Sequence, residues 1–234
     1  MYDSLFCRMY NEFGWNEYPR AFGERLLSWL DARGVAVRSA VDLGCGTGVL
    51  CETLHEAGID TLGIDLSEEM IAIARERAPE LHYEAGDMTD FHTEGRFDLV
   101  TCTGDALNHV TDLDDVGKVF GCVRAALNPG GLFVFDLLRA DEVPEGEPFW
   151  ADFDSLRVRF FAERDEEGFT TLRVDAFEGD IPKFSEVIKE KTHDVGDICD
   201  MLRDNGFDVL QCADRLDMAS DAHGTTWFIV ARRI

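Results

Sequence analysis

Residues 41–48, VDLGCGTG, constrain this chain more tightly than any other segment. They take in the end of the apolar run Ala40 to Leu43 and lead into a helical stretch from about Gly48 to Ala57 that Gly58 closes. Glycines at 44, 46 and 48 allow the positive φ that a tight strand-to-helix turn requires, and they carry no side chain to keep a ligand off the backbone. A strand that hands over to a helix in this way calls for a parallel neighbour, because the helix must lie across a sheet to bury its apolar side.

The same unit recurs. Strand Thr61 to Ile64 ends in Asp65, and Ser67 is placed to cap a helix whose first turn carries Glu68 and Glu69, where the helix dipole favours carboxylates; Pro79 ends it. A third strand near Leu81 to Ala85 runs into Gly86 and Asp87, and a fourth, Phe97 to Cys102, into Thr103 and Gly104. TDLDD, residues 111–115, reads as the next helix start, since it lacks the glycine and distal glutamate of a calcium loop. That helix carries Leu113, Val116, Val119, Phe120, Val123 and Leu127 on one face, stops at a turn NPGG (128–131) and leads into strand Leu132 to Leu138. Upstream, Phe22, Leu26, Leu27 and Leu30 give an amphipathic helix over Tyr18 to Arg33, with Pro19 in its first turn and Gly34 at its end. Downstream, after a loop with Pro144 and Pro148, the alternating stretches 156–163, 169–177 and 183–190 read as an antiparallel insertion, with DEEG (165–168) as a hairpin turn. Helix Asp194 to Arg203 and strands Phe207 to Ala213 and Thr225 to Ala231 complete the sheet.

Composition narrows the function. The 234 residues suit one domain, and 45% hydrophobic with 29% charged residues is an ordinary globular balance. With 22 basic against 47 acidic residues the formal charge is −25, which repels phosphate backbones and anionic membranes, so neither a nucleic acid nor a membrane is an expected partner. Such acid-rich, lysine-poor composition also occurs in salt-adapted proteins. Seven scattered cysteines contain no CxxC pair and read as reduced thiols in the cytoplasm; no metal site is expected. No stretch approaches the roughly 18 apolar residues needed to span a bilayer.

The chemistry concentrates where the strands end. The glycine spacing is GxGxG, not the GxGxxG of dinucleotide binders. An ionised Asp65 can accept hydrogen bonds from both hydroxyls of a ribose, and Asp87, acceptor-only when ionised, suits an exocyclic amino group. VDLGCGTG, GIDLS and AGDM together resemble the class I S-adenosylmethionine (SAM) dependent methyltransferases, closely over about residues 36–138. The resemblance implies an α/β fold: a doubly wound, Rossmann-like, seven-stranded, mostly parallel sheet with an antiparallel β insertion after strand 5, and SAM across the carboxyl ends of the strands. In this layout residues 1–35 form a helical lid, 36–140 the SAM-binding core, 150–192 the insertion and 193–234 the last helix and two strands, all in one domain. Asp42, Gly44, Cys45, Gly46 and Gly48 would then border the cofactor, with Asp65 and Leu66 at its ribose, Asp87 and Met88 at its adenine, and Thr103 near the methyl. Tyr18 or Arg20 would bond its methionine carboxylate, or else serve only in helix packing.

TCTGDALNHV, residues 101–110, lies where donor and acceptor should meet. Nucleic-acid amino-methyltransferases carry a proline pair with an aromatic there; Gly104 and Asp105 stand in its place. The segment more nearly resembles methyltransferases of glycine-like amines and amino-sugars, which implies a small polar acceptor, with N- and O-transfer both open. Tyr10, Trp15, Asp105, Asn108 and Trp150 are the candidate pocket residues, and His109 is the candidate base, with a structural role as its alternative. Phe149, Trp150, Phe160 and Phe161 serve either an acceptor pocket or a homodimer interface. A catalytically silent SAM-binding regulator and an NAD-dependent oxidoreductase remain as rival readings.

Overall fold

The computed structural model describes residues 4–139, 147–214 and 226–234. Two helices come first, α1 (Ser4–Glu12) and α2 (Glu17–Ala32), followed by β1 (Ser39–Leu43), α3 (Val49–Glu56), β2 (Asp60–Asp65), α4 (Glu68–Arg77) and β3 (His82–Ala85). Next are β4 (Phe97–Cys102), a 3-10 turn (Ala106–His109), α5 (Leu113–Ala126) and β5 (Leu127–Leu138). Strands β6 (Phe149–Phe153), β7 (Leu156–Arg164), β8 (Phe169–Glu178) and β9 (Ile181–Lys191) form the insertion, and α6 (Val195–Asp204), β10 (Phe207–Ala213) and β11 (Thr226–Arg233) follow it. Seven strands pair in the order β10-β11-β5-β4-β1-β2-β3. The pairs among β1 to β5 are parallel, and β11 runs antiparallel to both β5 and β10. The doubly wound Rossmann-like sheet with its antiparallel insertion is therefore present.

Alternation along the central strands divides the core in two. Phe133, Phe135 and Leu137 of β5 meet Val116, Phe120 and Val123 of α5 with Ile198 and Leu202 of α6. Leu132 and Val134 face the other way, onto Phe22, Leu26 and Leu30 of α2 with Leu50 and Leu54 of α3. Each such buried side chain contributes about 1.5–3 kcal/mol relative to exposure. The same period of two puts Asp42 of β1, Thr101 of β4 and Asp136 of β5 on the α2 side, near the strands' carboxyl ends. One face of an apolar sheet thus ends in a polar row.

Several boundaries differ from the sequence expectation. The insertion has four strands, β6-β7-β8-β9, because Phe149–Phe153 pairs antiparallel with Leu156–Phe160. Segment NPGG is not a turn outside the sheet: β5 begins at Leu127, opposite Phe97, and accommodates the glycines as an irregularity in register, with Asn128 Nδ2 donating to Asp98 Oδ1 at 2.9 Å. Leu113 is 41% exposed, because it opens α5 directly after the capping Asp112. Ser67 caps α4 as expected, Met70 N donating to its Oγ at 3.3 Å. Pro144 and Thr225 lie outside the described residues.

The insertion packs on the core through two layers. Phe153, Val158, Phe160, Val174 and Ile188 cover Phe6 and Met9 of α1, which also reach Met70 of α4. At the sheet's carboxyl edge a seam joins β9 to the 3-10 turn: Asn108 Nδ2 donates to Lys191 O at 2.7 Å, while Asn108 Oδ1 accepts from Leu138 N at 3.1 Å. His193 Nε2 lies 2.9 Å from Val110 O on the same seam. Asn108→Ala removes the partner of a half-buried donor and a half-buried acceptor together, so it is expected to cost about 2 kcal/mol. Urea unfolding reads that loss directly; a midpoint unchanged by the substitution contradicts the seam.

Candidate active site

The glycine turn is built by competing demands on three residues. Gly44 N and Cys45 N both donate to Ile64 O, at 2.8 and 3.1 Å, which ties the end of β1 to β2. Gly44 (φ 68°) faces Ala106, whose Cβ would lie 2.6 Å from any Cβ added there, and a Cβ on Gly48 (φ 81°) would fall 2.5 Å from Tyr83 Oη. The chain's own packing therefore requires both. Gly46 differs, because a Cβ added to it would meet nothing within 4 Å. It borders open space.

Asp65, at the end of β2, anchors that open residue. Its Oδ2 accepts from Gly46 N at 2.8 Å and its Oδ1 from Ser67 N at 2.8 Å. Each oxygen keeps further acceptor capacity. Burial raises its pKa against the lowering effect of both N–H donors. Next to it Leu66 is 59% exposed, and Met88 packs half-buried against the core beside Gly44. Asp87 Oδ1 accepts from Thr89 N and Thr89 Oγ1, both at 2.8 Å, leaving Oδ2 available. Apolar surface flanked by a ribose-type and an amino-type acceptor fits adenosine.

Behind the turn, Asp42 is fully buried, its Oδ1 accepting from Thr101 Oγ1 at 2.7 Å, and burial pushes its pKa up to about 7. Asp136 is equally buried and organises the loop after β4. It accepts from Tyr18 Oη at 2.5 Å and from Gly104 N and Asp105 N at 3.1 Å each. That loop puts Asp105 in the left-handed region at φ 63°. Tyr10 of α1 stands in the field of Asp105, Asp65 and Asp136, and burial with those charges raises its pKa to about 12. Asn11, next to it, accepts from Thr47 Oγ1 at 2.9 Å, so α1 is latched to the glycine turn.

Not every expected site residue arrives. Arg20 lies 3.8 Å from Glu52 of α3, not at the cleft. Two residues along a helix are about 200° apart, so with Tyr18 turned to Asp136, Arg20 must face elsewhere. Tyr18 itself bonds Asp136, which leaves it at the cleft's back wall. Cys45 turns its sulfur into a buried group with Cys51, Ile71 and Tyr83 and offers a ligand only backbone. Thr103 is buried at the end of β4, and the amide of Asn108 is committed to backbone on both ends. Trp15 packs on Phe160 at 5.7 Å, inside the α1–insertion cluster. Trp150 pairs with Arg159, one residue out of phase with Phe160, and so points to the outer face, with Arg157 at 4.9 Å over its ring. His109 Nε2 sits 3.6 Å from Glu190 Oε1. Asp136 and Glu190 were missed from sequence, although a lone acid in LFVFDLL was a readable signal.

The buried acids give the ligand-free protein a pH dependence. Asp42 has its folded pKa raised above the ordinary 3.8, so its contribution favours folding at low pH and is lost as pH rises through about 7. Asp42→Asn is therefore expected to raise the melting temperature by several degrees at pH 8 and to change it little only at pH 4, near the unfolded pKa of 3.8, a contrast that scanning calorimetry measures. An equal effect at both pH values contradicts the assignment.

Residues 40–131 match the methyltransferase domain family. YqeM of Bacillus subtilis (strain 168), provisionally named a methyltransferase, is 29% identical over 223 residues, 88% of each chain. The ubiquinone biosynthesis O-methyltransferase of Methylococcus capsulatus is 42% identical over 111 residues, 44% of this chain and 45% of that protein. The fold is shared with SAM-bound CalS10, an amino pentose methyltransferase from Micromonospora echinaspora, at a TM-score of 0.76 and 22% identity over 100% of this chain and 98% of that one. Residues 40–131 therefore match a methyltransferase domain, with the glycine turn, Asp65 and Asp87 inside it, and the chain shares its fold with SAM-dependent methyltransferases.

Proposed function

We propose that this protein methylates a small polar molecule, with an amine favoured over a hydroxyl as acceptor, in the reducing cytoplasm. One observation carries the reading: Gly46 borders open space while its N–H is held by the Asp65 carboxylate, so a ribose can approach the backbone and a carboxylate together. When bound, SAM supplies a methyl group on a cationic sulfonium sulfur. The chain's own task is then to position and to exclude water, worth roughly 7–11 kcal/mol through orientation alone. Helix α1, latched by Asn11 to Thr47 and packed on the insertion, closes one side; Tyr18 on Asp136 closes the back. His109, the base expected from sequence, has its pKa lowered by burial and is neutral at pH 7, and its Nε2 lies 3.6 Å from the Glu190 carboxyl, the second group here able to take a proton.

The seven cysteines are free thiols, in keeping with a reducing compartment, and among the described residues no helix is long and apolar enough to cross a membrane. The outer face of the insertion, where Trp150 and Val187 are exposed, is the surface proposed for pairing with a second copy.

Calorimetric titration with S-adenosylhomocysteine tests the reading. Micromolar binding is expected for the native chain, lost in Asp65→Ala and weakened about tenfold in Asp87→Ala, which removes one polar contact. Binding unaffected by either substitution, or none by folded native protein, contradicts it.

A further inference from the structure

We infer that Glu190, on the last strand of the insertion, receives the amine of the acceptor together with Asp105, holds it first as an ammonium, and takes its proton before transfer. The inference rests on the methyl-transfer reading above and adds to it a residue and a charge requirement.

Strand β9 is fixed against the acceptor loop by the Asn108 and His193 seam, which brings Glu190 Oε1 to 3.6 Å from His109 Nε2. The register Leu172↔Ile188 and Thr170↔Glu190 places Glu190 on the same face as buried Ile188, the face that α1 covers. Its neighbours in sequence, Lys189 and Lys191, alternate to the opposite face, where their Nζ atoms lie 3.9 and 4.2 Å from the centre of the Phe169 ring. An acid flanked by two lysines in sequence is therefore left without either charge.

Asp105 has a second, independent deficit. Its half-buried carboxyl accepts no hydrogen bond among the described residues, and the nearby charges that act on it there, those of Asp136 and Glu190, are both negative and raise its pKa. Asp136 is satisfied by Tyr18 and two backbone N–H groups; Asp105 is not. Among the described residues beside these carboxyls, Tyr10 of α1 and Tyr18 of α2 are neutral with raised pKa, and His109 has its pKa lowered by burial. Carboxyls partly withdrawn from water and lacking a permanent cation either take up protons or favour a cationic ligand. Burial pushes Glu190 up to about 7, where a carboxyl exchanges a proton readily at neutral pH.

An ammonium R–NH3+ supplies the missing charge through charge-assisted hydrogen bonds. The proton then passes from nitrogen to a Glu190 oxygen, giving R–NH2 and a neutral carboxylic acid. The nitrogen lone pair forms the new N–CH3 bond as the S–CH3 bond breaks, and that bonding pair stays on sulfur. The product leaves as R–NH2–CH3+, and Glu190 returns its proton to water. A neutral hydroxyl acceptor offers the opening no charge.

The test uses the full chain saturated with S-adenosylhomocysteine and titrated calorimetrically with matched pairs: glucosamine and glucose, ethanolamine and ethylene glycol, benzylamine and benzyl alcohol. With SAM in its place, product is followed by mass spectrometry. At least one amine is expected to bind and to be methylated while its hydroxyl counterpart is not. Glu190→Gln and Asp105→Asn should each weaken that amine at least tenfold, with affinity for S-adenosylhomocysteine within twofold of native. The acid limb of kcat/KM near pH 7 should disappear in Glu190→Gln and persist, displaced, in Glu190→Asp. Methylation of a hydroxyl member, unchanged amine affinity in Glu190→Gln, or no amine bound by protein that does bind S-adenosylhomocysteine overturns the inference and leaves the cofactor site standing. Failure to bind S-adenosylhomocysteine overturns the methyl-transfer reading itself.

Discussion

The two hydrogen bonds accepted by Asp65, from Gly46 N and Ser67 N, are the contact on which the rest of the site depends. They join the turn after β1 to the start of α4, so the distance between the first two crossover units is set by one carboxylate. Gly44 and Gly48 are held by contacts behind the turn, Gly46 by a charge in front of it. A turn fixed at both ends and open in the middle is a cradle whose shape does not depend on its ligand. Pre-organisation of this kind lowers the ordering cost of binding.

The second constraint is electrostatic. Asp42, Asp105 and Asp136 are gathered at the carboxyl ends of β1, β4 and β5 on the face that α2 covers, and burial raises the pKa of each. Without a ligand this arrangement costs stability. A cationic ligand offsets that cost, because an opposite charge nearby favours the ionised carboxylate. Binding is therefore coupled to the protonation of the site and, through mass action, to the stability of the whole sheet. The helices contribute to the same economy: α1 and α2 each send one tyrosine into the field of these acids, a polar group that carries no charge of its own at neutral pH.

Much of this was legible in the sequence, for identifiable reasons. Period-two and period-3.6 patterns place β4 and β10 to the residue, and the turn chemistry of Ser67 and of Asp165–Gly168 appears as read. Asp65, Asp87 and the glycines are local features, fixed by where a strand ends, and Asp65 bonds the Gly46 N–H directly. What sequence did not reveal is non-local. Whether Arg20 or Tyr18 reaches the cleft depends on the rotation of α2 about its axis, and the fate of Asn108 depends on β9, 83 residues away. Glu190 was invisible because KEK on an alternating strand reads as a solvated charge run. Only pairing with β8 and cover by α1 separate the acid from its two lysines.

A crystal structure of the complex with S-adenosylhomocysteine is the most direct test of the central claim, that the open side of Gly46 and the carboxylates of Asp65 and Asp87 form one nucleoside site. The account predicts the ribose hydroxyls within hydrogen-bond distance of both Asp65 oxygens, the adenine between Leu66 and Met88 with its amino group on Asp87, and the sulfur directed toward Asp105. Nucleoside density elsewhere on the molecule, or a ribose that does not touch Asp65, contradicts it.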